Sequence, residues 1–130
     1  MKPQRARPLR GRRLSPGRFA RLVREALAEL PPPFAQRLEN VAVLIADRPS
    51  PAQLRALGLR PGETLFGLYE GTPLGERGTG YHLALPDRIT IYREPILAAC
   101  STTQEMKEQI RLTVIHELGH YFGLGDDELP

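Results

Sequence analysis

The stretch from Ser101 to Phe122 constrains this chain more than any other, because it reads as one long helix with a defined start and stop. Thr102-x-x-Glu105, or Ser101-x-x-Gln104, offers a capping box in which a hydroxyl and a carboxylate or amide satisfy orphan N–H groups of the first turn. Met106, Ile110, Val114 and Leu118 then recur at helical spacing, and Gly123 is the expected left-handed stop. At 130 residues the chain has the size of a single domain with one core, so the remaining elements must pack around this helix.

Late on the helix lies His116-Glu117-x-x-His120-x-x-Gly123-x-x-Asp126. At about 100° per residue, His116 and His120 lie roughly 40° apart and one turn apart, so both imidazoles can converge on one ion. Glu117 is rotated about 80° from their mean direction, too far to share the ion but close enough to reach water bound to it. That is the placement of a general base. A stop at Gly123 reverses the chain and can return Asp126 as a third, carboxylate ligand, leaving a fourth position open for water. Asp127 and Glu128 are the alternatives. A zinc ion held there would lower the pKa of its water towards about 7 and polarise a carbonyl, and Glu117 would take the proton and pass it to a leaving amine. His82, Tyr69, Tyr81, Tyr92 and Tyr121 are possible donors to the oxyanion, with ordinary structural roles as the competing reading.

Ahead of this helix the chain is cut into short elements. Ser15-Pro16 marks a helix start, and Phe19, Leu22, Val23, Ala26, Leu27 and Leu30 form one apolar stripe before Pro31, Pro32 and Pro33 end it. "VAVLIA" suits a buried strand, residues 51–57 a helical turn or short helix ended by Gly58, and "TLFGLYE" and "RITIYR" two further strands. Ile89 and Ile91 alternate with Thr90 and Tyr92. "GTPLGERGTG" reads as a long loop, and residues 95–100 as a short helix. Three strands among three or more helices, without strict alternation, point to a small α+β domain.

Charge is distributed unevenly. Nine of the eighteen basic residues, Lys2, Arg5, Arg7, Arg10, Arg12, Arg13, Arg18, Arg21 and Arg24, precede the first acid at Glu25, and the rest of the chain carries nine basic against fifteen acidic residues. Residues 1–14 read as a flexible basic arm ahead of a single domain, residues 15–130. Such an arm either neutralises nucleic-acid phosphates or serves as a solubilising tail, or one folded back on the acidic body. Cys100 stands alone, which rules out an internal disulfide or a multi-cysteine metal site, and it reads as a small buried hydrophobe. No long apolar run or secretory leader is present, so the expectation is a bacterial cytoplasmic protein, a monomer or small oligomer, with no membrane partner.

"LFGLYEGTPLGER", "LPDRITIYREPIL" and "TVIHELGHYFGLGDDEL" together resemble the small bacterial zincin-like metallopeptidases, or minimal zincins, over residues 34–129. The resemblance implies metal ligands at His116, His120 and Asp126, the catalytic base at Glu117, and one zinc ion. It implies a compact α+β fold with a small mixed sheet packed on an N-terminal helix and the C-terminal active-site helix, and a peptide or unfolded segment as substrate. In zincin-like enzymes the substrate pairs with an edge strand above the metal, and "RITIYR" is the candidate for that edge. The ligand spacing is similar to the metzincins, which have a third histidine where this chain has Asp126. It is also similar to rRNA-maturation zinc hydrolases, which lack the glutamate after the first histidine; Glu117 therefore argues for peptide hydrolysis. The alternative function is a nucleic-acid or ribosome-associated protein that binds through the basic arm, with a structural or vestigial metal site.

Overall fold

Local side-chain chemistry sets the helix starts in the computed structural model, which describes residues 1–7, 14–71 and 87–121. The elements run β1 (Pro3–Arg5), α1 (Pro16–Ala28), α2 (Pro32–Arg37), β2 (Val41–Ala46), α3 (Pro51–Ala56), β3 (Glu63–Leu65), β4 (Gly67–Glu70), β5 (Asp87–Tyr92), α4 (Arg93–Ala99) and α5 (Thr103–Tyr121). Ser15 Oγ accepts from the Arg18 N–H, and Ser50 Oγ from that of Gln53. At α5, Thr102 Oγ1 accepts from the Glu105 N–H while the Glu105 carboxylate accepts from the Ser101 N–H, so the box closes one residue further out than the simplest form. Gly58, at φ +77°, ends α3: the Leu59 N–H donates to Leu54 O and the Gly58 N–H to Arg55 O, as in a Schellman motif. The prolines at 31–33 end α1 and also open α2, because a proline in the first turn loses no hydrogen bond.

The fold is α+β. β2, β5 and β4 form a mixed sheet in that order, with β2 parallel and β4 antiparallel to β5, and β1 pairs antiparallel with β3. Ile89 and Ile91, both fully buried, face the main core with Phe19, Val23 and Ala26 of α1 and Met106, Ile110, Val114 and Leu118 of α5. On the opposite face Leu65, Leu68 and Tyr92 pack with Leu54, Leu57 and Leu59. The alternation expected for β5 therefore divides two cores. α5 carries the main one: its four periodic apolar residues are all buried.

Three expectations change. "VAVLIA" forms β2 but is not fully buried; it is an outer strand of its sheet, and Leu44 is 47% and Ile45 37% exposed. "RITIYR" forms β5, the central strand, so both its hydrogen-bonding edges are taken and it is no edge for substrate. Pro3–Arg5, expected in a flexible arm, instead pairs with β3 in the register Pro3–Leu65, Gln4–Thr64 and Arg5–Glu63. The Ala6 N–H donates to Gly62 O at 2.7 Å, which by alternation makes 4–64 a hydrogen-bonded pair and leaves Pro3 where no donor is needed. Residues 8–13 and the "GTPLGERGTG" loop beyond Gly71 lie outside the described residues.

Charged pairs fasten α1 to α5. Glu29 meets Lys107 at 2.9 Å and Arg111 at 2.7 Å, and Arg111 also holds Glu108. The hydrogen bond from Lys107 holds the Glu29 carboxyl below its ordinary value, with the Lys107 and Arg111 charges adding to the effect against desolvation. A lowered pKa stabilises the fold above the ordinary carboxylate range and loses that contribution as pH falls through the lowered value. Glu29→Gln should accordingly narrow the stability gap to wild type as pH is lowered through that range, read by urea unfolding. Ile110→Ala removes a fully buried side chain and should cost about 2–5 kcal/mol in the same assay, whereas an exposed Leu44→Ala should stay within about 0.5 kcal/mol. Burial pushes the Cys100 thiol up, with Glu105 adding to the shift, so iodoacetamide should alkylate it far more slowly in the folded chain than in urea.

Candidate active site

One stripe of α5 and one face of β4 meet residue by residue. Gly67, Tyr69 and Gly71 alternate along the strand and meet Thr113, Glu117 and Tyr121, which are four residues apart on the helix. Four strand residues span about 13 Å and eight helix residues about 12 Å, so the two repeats stay in step. The approach is close. A Cβ on Gly67 would sit 2.7 Å from Thr113 Cγ2 and 3.1 Å from Thr90 O, and one on Gly71 would sit 2.8 Å from Tyr121 Cε2. The Tyr69 ring stacks on Tyr121 with centroids 4.1 Å apart.

This packing places Glu117. Its side chain is 4% exposed, and Oε1 accepts the Tyr69 N–H at 2.9 Å. Phe66 O accepts from the Tyr92 N–H, so even-numbered residues of β4 bond to β5, while the N–H groups of Gly67 and Tyr69 point off the outer edge. Glu117 occupies one of those edge donors. The second oxygen, Oε2, lies 3.4 Å from the Met1 α-amino nitrogen. Beside it is a cavity of about 190 Å³ lined in part by Lys2, Gln4, Phe66, Gln109, His116 and Glu117.

His116 and His120 sit on the same side of the helix, with ring centroids 6.1 Å apart and planes inclined by 52°. Two imidazoles on one tetrahedral zinc, with bonds of about 2.1 Å, have centroids roughly 5 Å apart, so the pair fits one ion with a shift of about 1 Å. Neutral nitrogen donors beside a buried carboxylate suit zinc or another borderline divalent metal. Asp126, like Gly123, Asp127 and Glu128, lies outside the described residues; among those described, no three metal-binding side chains form a cluster.

The tyrosines divide clearly. Tyr92 faces the second core and donates its hydroxyl to Gln53 Oε1 at 3.0 Å; burial raises its pKa, against that hydrogen bond. It is therefore no oxyanion donor. Tyr69 donates its hydroxyl to Asp87 Oδ2 at 2.8 Å, so what it brings to Glu117 is its backbone N–H. Tyr81 and His82 lie outside the described residues. Sequence reasoning missed Gly67, Gly71, Met1 and the Tyr69 amide. The only signal for them was the glycine spacing around Tyr69, which carries no meaning until the helix is known to lie against that strand.

One helix thus presents two histidines and a buried glutamate beside an outer strand, within a small α+β domain. Residues 38–130 match the family model of zincin-like metallopeptidases, and the chain belongs to that family. The family implies a zinc cofactor. Among solved structures, a conserved hypothetical protein from Thermo thermophilus has a similar fold, with a TM-score of 0.55 and 22% identity over 83% of this chain and 94% of that one. No curated protein sequence matches significantly. No helix among the described residues is long and apolar enough to cross a membrane.

Gly67→Ala should push β4 off α5 and destabilise the domain by about 1–3 kcal/mol. Adding Thr113→Ser removes the Cγ2 atom in the way while keeping a hydroxyl to accept from Gln109. The double variant should recover part of the loss, as measured by a thermal-unfolding double-mutant cycle.

Proposed function

We propose that this chain is a zinc-dependent peptidase acting on peptides or unfolded segments, with His116, His120 and Asp126 as metal ligands and Glu117 as the general base. The observation that carries the reading is the environment of Glu117. A nearly buried carboxylate, next to His116 in the chain, has one oxygen pinned by a backbone N–H and the other 3.4 Å from the Met1 amine, and the residue lines the same cavity as His116.

When bound, the zinc supplies a polarised, acidified water and a Lewis acid for the scissile carbonyl. The protein's own part follows from the hydrogen bonds. Because Oε1 is held by the Tyr69 N–H, Oε2 is the atom that accepts the proton of the attacking water and later delivers it to the leaving amine. The Tyr69 N–H also fixes the carboxylate rotamer, so no side-chain search precedes proton transfer. Extended substrate is held by main-chain pairing, for which β5, a central strand with both edges taken, is not available.

Neither the fold nor the family match supports the alternative of a nucleic-acid-binding protein with a vestigial metal site. The test is cleavage of a peptide library by purified, zinc-loaded protein. Glu117→Ala should reduce turnover by about 10²–10⁴-fold while retaining the metal, and equal activity in both forms would sink the assignment. Asp126→Ala should weaken zinc binding in a competition titration; unchanged affinity would transfer the third-ligand role to Asp127 or Glu128.

A further inference from the structure

We infer that residues 1–5 occupy the subsite for the leaving-group half of a peptide substrate, so that the chain's own N-terminal segment closes this site until substrate displaces it. The inference rests on the peptidase reading and adds the path and direction of the bound peptide. When a peptide bond is hydrolysed, the departing fragment acquires a new α-amine, which must lie against the carboxyl that protonates it. The Met1 α-amine is 3.4 Å from Oε2 of Glu117, the oxygen that Tyr69 leaves available. From that point the chain runs away along β3, pairing Pro3 with Leu65, Gln4 with Thr64 and Arg5 with Glu63.

The segment thus has the geometry of a cleaved product that has not left. Lys2 and Gln4, two residues apart and therefore on one side of an extended strand, line the cavity with Phe66, Gln109, His116 and Glu117. Pro3 stands at the position that needs no N–H. The substrate class that fits is an extended peptide with long polar side chains at the second and fourth residues after the scissile bond, and with proline tolerated at the third. The strap contributes nothing to either core: residues 1, 2, 3 and 5 are exposed and Gln4 is half-buried. A tethered strand competes at an effective concentration in the millimolar range, enough to suppress a weak incoming peptide.

The probe is the hexapeptide Met-Lys-Pro-Gln-Arg-Ala, labelled at its C-terminal end and followed by fluorescence anisotropy. A variant lacking residues 2–6 should bind it at least about tenfold more tightly than the full chain, because the tethered competitor is gone. Acetylating the peptide's amine should reverse most of that gain. Equal binding by the two chains overturns the inference. A full-length variant, Gln4→Pro, removes the central donor of the pairing and should show the same gain. In the wild-type chain the Thr64 amide should be protected from hydrogen exchange, and in Gln4→Pro it should exchange at least about tenfold faster. An unprotected Thr64 amide in the wild type overturns the proposal whether or not the truncated chain folds. Library turnover should rise in the truncated chain. If neither chain shows cleavage that depends on Glu117, the peptidase reading falls, while the anisotropy and exchange results still decide whether the segment fills the cleft.

Discussion

The contact between β4 and α5 at Gly67 is the constraint on which the site depends. A helix and a strand do not ordinarily approach closely enough for a helical side chain to reach a strand amide head-on. Removing the side chain at Gly67, and again at Gly71, lets the backbone settle onto Thr113 and Tyr121. Tyr69, between them, then has its N–H against Glu117 and its ring against Tyr121. A carboxylate held in this way has a fixed orientation, with Oε2 the oxygen that the Tyr69 amide leaves available. The buried carboxylate is tolerated because both oxygens have polar neighbours, the Tyr69 amide and the Met1 amine.

The rest of the domain holds α5 in place for that contact. Its Met106, Ile110, Val114 and Leu118 stripe is sealed by α1 and by Ile89 and Ile91 of β5. Lys107 and Arg111 clamp Glu29 at the rim of the same interface. Thr102 and Glu105 fix where the helix begins, and so the height at which His116, Glu117 and His120 arrive beside β4. The helix is thus tied down at its start, along its core face and along the face that carries Glu117. Such bracing suits a side-chain set that must keep its geometry within a fraction of an ångström.

Much of this was legible beforehand. Helix starts at Ser15 and Thr102, the stop at Gly58 and the division of β5 into Ile89/Ile91 and Thr90/Tyr92 faces are local effects, settled within a few residues of each side chain. The motif on α5 was legible for the same reason: three and four residues along a helix is a fixed distance. The misreadings at β2, β5 and residues 3–5 share a different cause. Whether a strand is central, outer or newly paired depends on which distant segment lies next to it, and an apolar run of six residues reads alike in either place. A basic stretch without periodicity also conceals a short strand whose hydrogen bonds go to backbone, since backbone pairing leaves little trace in side-chain type.

The sequence by itself determined the helix starts at Ser15 and Thr102, the core faces of α1, α5 and β5, and the identity and spacing of His116, Glu117 and His120, because each follows from local geometry along one element. Only the tertiary structure decided that β4 and not β5 lies at the sheet's edge, that the Tyr69 amide holds Glu117, and that Met1 reaches its second oxygen. Those contacts join residues 48 to 116 positions apart. They arise from how β4, α5 and the N-terminal strand pack, and backbone donors and an α-amine look the same whatever side chains surround them.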